Sequence, residues 1–208
     1  MDTLTAIATR RTIRKYKDQP IEFEKLGHIL DAGRFTPSAG NLQDWRFILV
    51  TEQKKREALA CACVEQYWAS QAPVMIIVCT DPDKNKRFYG NLGEKYSLQT
   101  GGAVIQNMLL AAHDQGLASA WVGAFQDDKV KEILGIPDTV IVHGLLPIGY
   151  AAERPAMPHR FSLDQTTYIE SWGNRIKDIA VYMEWYGEHV NKALKKAKEL
   201  VENLARRI

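Results

Sequence analysis

Three arginines and a threonine stand close together near the N-terminus, at Arg10, Arg11, Thr12 and Arg14. A guanidinium group donates two parallel hydrogen bonds to a phosphate, and a threonine hydroxyl adds a further donor. The arginine segment, residues 10–14, therefore predicts a binding site for a phosphorylated ligand. The alternative is a solvated basic helix end, which the helix dipole also favours.

A polar loop, residues 36–45, follows with the sequence TPSAGNLQDW. It combines hydrogen-bonding side chains, Ser38, Asn41 and Gln43, with small residues that leave the backbone accessible to a ligand, Ala39 and Gly40. This composition is typical of a site that grips a flat polar ligand. An ordinary turn between a helix and a strand is the alternative.

Two later segments carry further candidates. Gly123 and Ala124 lie at the end of a predicted strand, a position at which sheet proteins commonly hold ligands. Arg160 ends a proline-containing loop, residues 154–160, and can place a further cationic group beside the same phosphate. A backbone bend and a surface charge are the respective structural alternatives.

The hydrophobic pattern predicts alternating helices and strands that would position these segments. Residues 73–79 are apolar on both faces, which indicates a sheet covered on both sides and an α+β or α/β sandwich. Residues 81–98 are polar and mixed with aromatics, which favours a mobile lid. The predicted helices are 2–10, 22–36, 54–70, one from Thr100, and 127–134, and the predicted strands are 46–51, 73–79, 118–123 and 140–150.

The C-terminal tail has a different pattern. From Ile179, apolar residues recur at alternating spacings of four and three, a heptad pattern that predicts one long amphipathic helix. Its narrow apolar seam must pack on the same chain or on another subunit. The seam comprises Ile179, Met183, Tyr186, Val190, Ala193, Ala197, Leu200 and Leu204.

Composition argues against several function classes. The 27 basic and 25 acidic residues give a net charge of +2, so nothing suggests nucleic-acid binding through bulk charge. The three cysteines lack zinc or redox spacing, and the five histidines are scattered, so we expect no metal site. No apolar signal core and no run of about 18 apolar residues is visible, and we expect a cytoplasmic protein without a membrane partner.

In combination, these motifs resemble the flavin-dependent nitroreductase family. The resemblance spans residues 3–163 in a constant order and rests on these motifs: ArgArgThrIleArg, ProSerAlaGlyAsnLeuGlnAspTrp, GlnThrGlyGlyAla at 99–103, TrpValGlyAlaPhe, and a GlyTyr…Pro…Arg run at 149–160. It implies an α+β nitroreductase-like fold with a central mixed sheet flanked by helices. It also implies a domain-entwined homodimer with a long C-terminal helix and FMN at the subunit interface.

The resemblance also implies a division of the chain and of the site. Residues 1–165 would form the FMN-binding domain, with 81–98 as its possible lid. Residues 166–208 lie outside the resemblance, and we expect them to form a helical extension that packs on the partner subunit. Arg10, Arg11, Thr12 and Arg14 would meet the phosphate, ribityl chain and pyrimidine edge. The partner would supply Pro37, Ser38, Ala39 and Asn41, with Gln43 close by; Gly123 and Ala124 would face flavin N5 and O4, and Arg160 would complete the phosphate site.

Three positions depart from the family pattern. Thr12 stands where serine is common and keeps the hydroxyl donor, while Gln99 replaces a frequent acid. Asp44 stands where proline often precedes the tryptophan. Asp44 places a negative charge near the expected pocket and leaves the geometry of the polar loop open.

The expected function is an FMN-dependent oxidoreductase in which NAD(P)H and a small electron-poor acceptor, a nitroaromatic, quinone or enone, react in turn by a ping-pong mechanism. The flavin N5 would carry the chemistry, so no catalytic side chain is assigned. Candidates to line the acceptor site are Tyr67, Trp68, Phe88, Tyr89 and Phe125.

Two alternative functions stay open. One is that of a specialised relative, such as a flavin-destroying synthase or a reductive dehalogenase, and the other is that of a non-catalytic sensor of flavin or another phosphorylated ligand. A nucleic-acid binder is disfavoured by the charge balance.

Overall fold

The computed structural model of the protein describes residues 1–175 and 195–196. The described helices are α1 (Thr3–Thr9), α2 (Phe23–Arg34), α3 (Gln53–Ala62), α4 (Asp83–Tyr89), α5 (Leu92–Asp114), α6 (Asp127–Leu134) and α7 (Leu163–Thr166). The strands are β1 (Trp45–Val50), β2 (Val74–Thr80), β3 (Ala118–Ser119) and β4 (Ile141–Gly149). The predicted C-terminal helix lies outside the described residues, apart from Lys195 and Lys196.

The four strands form one sheet in the order β1-β2-β4-β3, and each neighbouring pair is antiparallel. An isolated parallel bridge between Thr12 and Ser119 adds a parallel contact at the β3 side. The α+β class with a central sheet flanked by helices is confirmed. Strand β2 lies in the interior of the sheet, and all of its residues are buried.

The sheet separates two hydrophobic clusters, because alternate residues of a strand point to opposite faces. Ile76 and Val78 pack with Met108 of α5 and with α2, whereas Met75 and Ile77 pack with residues of α3 and α6. Full burial of each such side chain contributes about 1.5–3 kcal/mol relative to exposure. Coverage on both faces, as predicted for residues 73–79, is confirmed.

Helix α5 is the buried central helix, and it begins at Leu92, earlier than the predicted start at Thr100. The preceding segment forms α4, which is followed directly by Gly90, a residue with a positive φ of 56°. At Gly93 the two helices approach so closely that a Cβ atom would lie 2.4 Å from the backbone nitrogen of Lys86. Residues 81–98 are thus largely helical, and their role as a lid stays a prediction.

The predicted helix 54–70 is wrong in its second half, because α3 ends at Ala62 and a short 3-10 turn follows at Tyr67–Gln71. Between them, Val64 and Glu65 adopt left-handed φ values of 56°. The carbonyl of Ala62, which a longer helix would use internally, instead accepts a hydrogen bond from the backbone of Gln126. A tertiary contact therefore ends this helix, and such contacts override local helix propensity.

The predicted strand 118–123 is also shorter in the structure, where only Ala118 and Ser119 pair regularly with β4. The chain returns to β4 at Val122, which exchanges two backbone hydrogen bonds of 3.0 Å with Leu145. Between these contacts the indole of Trp121 donates to the carbonyl of His143 at 3.2 Å. The strand is interrupted because this large side chain folds back across β4.

The chain divides into two compact units, Arg10–Pro155 and Met1–Thr9 with Ala156–Ile208. The first contains the sheet and helices α2 to α6. In the second, Asp2 caps α1 by accepting hydrogen bonds from Thr5, and a capping box of Ser162 and Gln165 begins α7. No helix among the described residues combines the length and apolar character that crossing a bilayer requires.

Two adjacent glycines of α5 provide a matched test of the packing. A Cβ at Gly101 would lie 2.2 Å from the ring of His143, whereas a Cβ at Gly102 would meet only Trp121, at 3.9 Å. We expect Gly101→Ala to lower the free energy of unfolding by about 1–3 kcal/mol because the buried ring must move. Gly102→Ala should raise it by up to about 1 kcal/mol through helix propensity. Urea unfolding measures both; equal effects would contradict this packing.

The buried histidine His143 predicts a pH dependence of stability. Burial lowers its pKa below the usual 6.5, partly offset by the charge of Asp44, so the folded state favours the neutral ring. The unfolded chain takes up the proton first, and stability is therefore lost as pH falls below about 6.5. We expect His143→Gln to lose less stability than the wild type between pH 7 and pH 5. The exposed control, His28→Gln, should follow the wild-type profile.

Candidate active site

The arginine segment lies along the edge of the sheet formed by β3 and β4. The backbone nitrogen of Ile13 donates to the carbonyl of Ser119 at 3.1 Å, and Lys17 donates to the carbonyl of Tyr150 at 2.8 Å. Thr12 forms the parallel bridge to Ser119. The sheet thereby holds the segment in an extended conformation, and its basic side chains start from a rigid backbone.

Tyr16 anchors the end of this segment in the core. Its hydroxyl is buried and donates to the carbonyl of Ile13 at 2.7 Å, with the carbonyl of Pro147 at 3.2 Å. Burial raises the pKa of this phenol well above its usual value, so it remains a protonated donor. The hydrogen bonds of the Tyr16 hydroxyl are therefore kept throughout the ordinary pH range.

The side chains of the segment have different environments. Arg10, Arg11 and Thr12 are half-buried, and Arg14 is exposed. The Arg14 guanidinium lies 5.6 Å from the ring centre of Trp68, a cation–π distance, and its backbone nitrogen donates to Glu153 at 2.6 Å. These contacts hold Arg14 beside the turn that leads into β2.

Gly123 and Ala124 are exposed and continue from the point where Val122 leaves β4. Among the described residues, the nearest atom to a Cβ at Gly123 would be the Trp121 indole nitrogen at 3.7 Å, an ordinary van der Waals contact, so the backbone here is not closely covered. The side-chain amide of Gln66 donates to the carbonyl of Ala124 at 3.3 Å. This carbonyl is thus turned toward Gln66.

Gln66 was missed by the sequence reasoning, which carried no site residue over from residues 64–68. It also donates to the carbonyl of Cys63 at 2.9 Å and so bridges the end of α3 and Ala124. The available signal was an amide side chain at a helix end, but its partner depends on the tertiary fold. The Gln66 side chain thus links the end of α3 to the backbone of Ala124.

The polar loop has an unusual backbone. Gly40, Asn41 and Gln43 all have left-handed φ values, between 53° and 55°. The Ser38 hydroxyl accepts a hydrogen bond of 3.0 Å from the backbone of Gln43, and Thr36 accepts one of 2.9 Å from Asn107 of α5. The side chains of Asn41 and Gln43 are exposed. The loop therefore presents amides outward from a compact turn.

Asp44 faces the interior of the protein. Its carboxylate accepts hydrogen bonds from the Ser97 hydroxyl at 2.6 Å and from the Asn85 amide at 2.9 Å, and all three side chains are fully buried. The sequence reasoning placed this charge near the pocket and missed the cluster, because Asn85 and Ser97 lie in the segment interpreted as a polar lid. The loop geometry that Asp44 left open is set by these inward contacts.

The predicted site residues form two groups within the unit Arg10–Pro155. Thr12 lies beside Ser119 of β3, the strand that leads to Gly123 and Ala124. The arginine segment and the turn at Gly123 and Ala124, called the glycine turn, therefore share the β3 side of the sheet. The polar loop rests instead on α4 and α5. Arg160 belongs to the other unit, and its place in the site stays a prediction.

The aromatic candidates for an acceptor site also differ. Tyr67 and Phe88 are 55% and 72% exposed, and Tyr89 is 37% exposed and packs edge-on against Tyr96. Trp68 and Phe125 are partly buried against the hydrophobic clusters. The first three are available to an incoming ligand, whereas the other two contribute mainly to packing.

Comparison with known proteins gives related sequences and structures. An archaeal relative from Methanothermobacter thermautotrophicus, named as a candidate NADH dehydrogenase/NAD(P)H nitroreductase, is 36% identical over 176 residues, which cover 83% of this chain and 88% of the relative. An FMN reductase [NAD(P)H] of Bacillus subtilis is 27% identical over an alignment that covers 92% of this chain and 84% of the reductase. The solved structure of an FMN-dependent nitroreductase from Clostridium difficile has a TM-score of 0.71 at 25% identity, over 82% of this chain and 100% of that one.

The family model for the Nitroreductase family matches residues 7–70 and 60–150, which contain the arginine segment, the polar loop and the glycine turn. The match covers more than half of the chain, and the archaeal relative supports it independently. The resemblance inferred from the motifs is therefore confirmed, and the chain belongs to the Nitroreductase family.

Proposed function

We propose that this protein takes electrons from NAD(P)H by way of bound FMN and delivers them to a small electron-poor acceptor, such as a nitroaromatic, a quinone or an enone. The chain is an NAD(P)H-dependent oxidoreductase of its family, and FMN is the cofactor. The observation that carries the finer proposal is the placement of the arginine segment along the sheet edge that leads to Gly123 and Ala124.

The residues present fit the chemical parts of FMN. The phosphate needs fixed cationic donors, and Arg10 and Arg11 are half-buried on a backbone held by β3. The isoalloxazine ring is flat and polar at one edge, and the turn at Gly123 offers accessible backbone beside it without a side chain. Arg160 would add a further phosphate contact.

Bound FMN would accept a hydride equivalent from the nicotinamide and release two electrons to the acceptor, which is chemistry that the protein need not supply. The task of the chain is to bind and orient. Gln66 turns the Ala124 carbonyl toward itself at 3.3 Å, which helps to fix the direction of the neighbouring peptide N–H groups. Thr12 would provide a hydroxyl donor to the pyrimidine edge.

The acceptor would occupy the position from which the nicotinamide has left. Exposed aromatic side chains, Tyr67, Phe88 and Tyr89, are suited to stack against a flat ligand. Because the nicotinamide and the acceptor would use the same position in turn, the acceptor needs no separate set of binding residues. It also predicts that donor and acceptor compete.

The separation of the two groups of site residues supports a site shared between subunits. The polar loop is supported by α4 and α5, whereas the arginine segment follows β3 and β4. We propose that a homodimer brings the loop of one subunit to the arginine segment of the other. The heptad residues after Ile179 would then pack on the partner subunit.

The function is tested by anaerobic reduction of the FMN-loaded protein. We expect NADH or NADPH to bleach the flavin absorbance, and a nitroaromatic or quinone to restore it. Steady-state rates at several fixed acceptor concentrations should give parallel double-reciprocal lines, as ping-pong kinetics require. Flavin that binds tightly but is reduced by neither nicotinamide would favour a sensor and contradict the proposal.

The shared site is tested with two variants that damage opposite halves. Arg10→Ala should weaken FMN binding about 10-fold to 100-fold, because a charge-assisted contact contributes about 1.5–3 kcal/mol. Ser38→Leu should weaken it through the polar loop. Arg34→Ala, which removes an exposed charge paired with Asp31, is the control and should bind FMN as the wild type does.

Mixed dimers of the two damaged variants discriminate between the arrangements. If one subunit supplies the arginines and the other the loop, each mixed dimer has one intact site and one doubly damaged site. High-affinity FMN binding should then reappear in half the sites of the mixed dimers. If each site is built from a single subunit, mixing restores nothing.

A further inference from the structure

The buried cluster of Asp44, Asn85 and Ser97 joins three parts of the chain that are distant in sequence. Asp44 ends the polar loop, Asn85 lies on α4 and Ser97 on α5. Besides the two contacts to its carboxylate, the backbone carbonyl of Asp44 accepts a hydrogen bond of 2.8 Å from the nitrogen of Asp81. The loop end is therefore attached to the α4 region by side chain and backbone together.

The cluster is costly to maintain, which argues that it does more than fill the core. A buried carboxylate must be compensated by donors, and here both donors come from α4 and α5. The second oxygen of Asp44 and the side-chain oxygen of Asn85 have no hydrogen-bond partner within residues 1–175 and 195–196. Apolar residues of similar size would avoid that penalty.

A second contact joins α4 to the same loop. The hydroxyl of Tyr89 lies 2.5 Å from the position that a Cβ of Gly40 would occupy. Helix α4 thus reaches the loop at Asp44 through Asn85 and at Gly40 through Tyr89. A Cβ at Gly40 would displace the tyrosine hydroxyl, and its φ of 54° also disfavours a side chain there.

The loop needs such support because its conformation is unfavourable by itself. Left-handed φ values at Asn41 and Gln43 strain residues that carry a Cβ atom, and strain of this kind persists only where the surroundings impose it. At its start the loop is attached to α5 by the Thr36–Asn107 hydrogen bond, and at its end by Ser97 and Asp44. One helix, α5, therefore holds both ends of the loop.

We propose that Asp44, Asn85 and Ser97 are positioning residues that hold the polar loop in the shape required to bind FMN, so that α4 acts as a fixed support of the cofactor site. This inference rests on the proposed function, in which the loop contacts FMN. In this proposal the Asp44 carboxylate does not face the FMN pocket but binds Asn85 and Ser97 in the interior. Asn85 and Ser97 would then affect FMN binding through the shape of the polar loop, without touching FMN.

The test compares two hydroxyl deletions on α5 in the full-length protein. Ser97→Ala removes one donor to Asp44, and the control Thr100→Val removes a buried hydroxyl whose hydrogen bond, within the described residues, goes to the carbonyl of Tyr96 in the same helix. FMN affinity is measured by quenching of FMN fluorescence. We expect the dissociation constant to rise about tenfold or more in Ser97→Ala, since it loses a hydrogen bond to a charged group, and to stay within about twofold in Thr100→Val.

Hydrogen exchange of residues 36–45 in the FMN-free proteins gives an independent measurement. We expect faster exchange in Ser97→Ala and unchanged exchange in Thr100→Val, even where both lower the melting temperature equally. Equal effects of the two variants on FMN affinity, or no change in either measurement for Ser97→Ala, would overturn the proposal. If Ser97→Ala does not fold, Asn85→Leu, which removes the other donor to the Asp44 carboxylate at a similar side-chain size, must show the same two effects.

The two proposals fail in different ways. If the wild-type protein does not quench FMN fluorescence, the proposed function fails, and the exchange of residues 36–45 still reports whether the cluster holds the loop. If the wild type binds FMN and Ser97→Ala binds it equally well, only the positioning role fails.

Discussion

The burial of strand β2 on both faces is the constraint on which the arrangement of the unit Arg10–Pro155 depends. All seven of its residues are buried, with α5 and α2 on one side and α3 and α6 on the other. Because the faces of the sheet are occupied by packing, accessible ligand-binding groups are left at its edges and ends. The arginine segment beside β3 and the polar loop before β1 occupy such positions.

The same constraint explains which parts of the fold could be predicted from sequence. Strands β1, β2 and β4 and helices α2 and α6 show the periodicity that burial imposes, and their predicted positions agree with the structure to within a few residues. Two of the errors concern elements ended by a tertiary contact: α3 stops where Ala62 bonds to Gln126, and β3 stops where Trp121 folds over β4. Neither contact leaves a signal in local sequence.

The site shows a similar division. The residue types of the arginine segment and the polar loop identified the family and with it the cofactor, because charge and small size are visible in the sequence. The residues that orient these groups were not visible. Gln66 and Ser97 are ordinary polar residues until the fold places one beside Ala124 and the other beside Asp44. The Asp44 carboxylate was noticed as unusual, but its direction depends on α4.

The left-handed backbone at Gly40, Asn41 and Gln43 has a consequence for protein engineering. A ten-residue peptide of sequence TPSAGNLQDW, or a graft of it onto an unrelated scaffold, would carry the side chains without the helices that impose their conformation. Such a transplant would relax to ordinary turn geometry. Transfer of this binding element to a new protein therefore requires the α4–α5 hairpin as part of the same module.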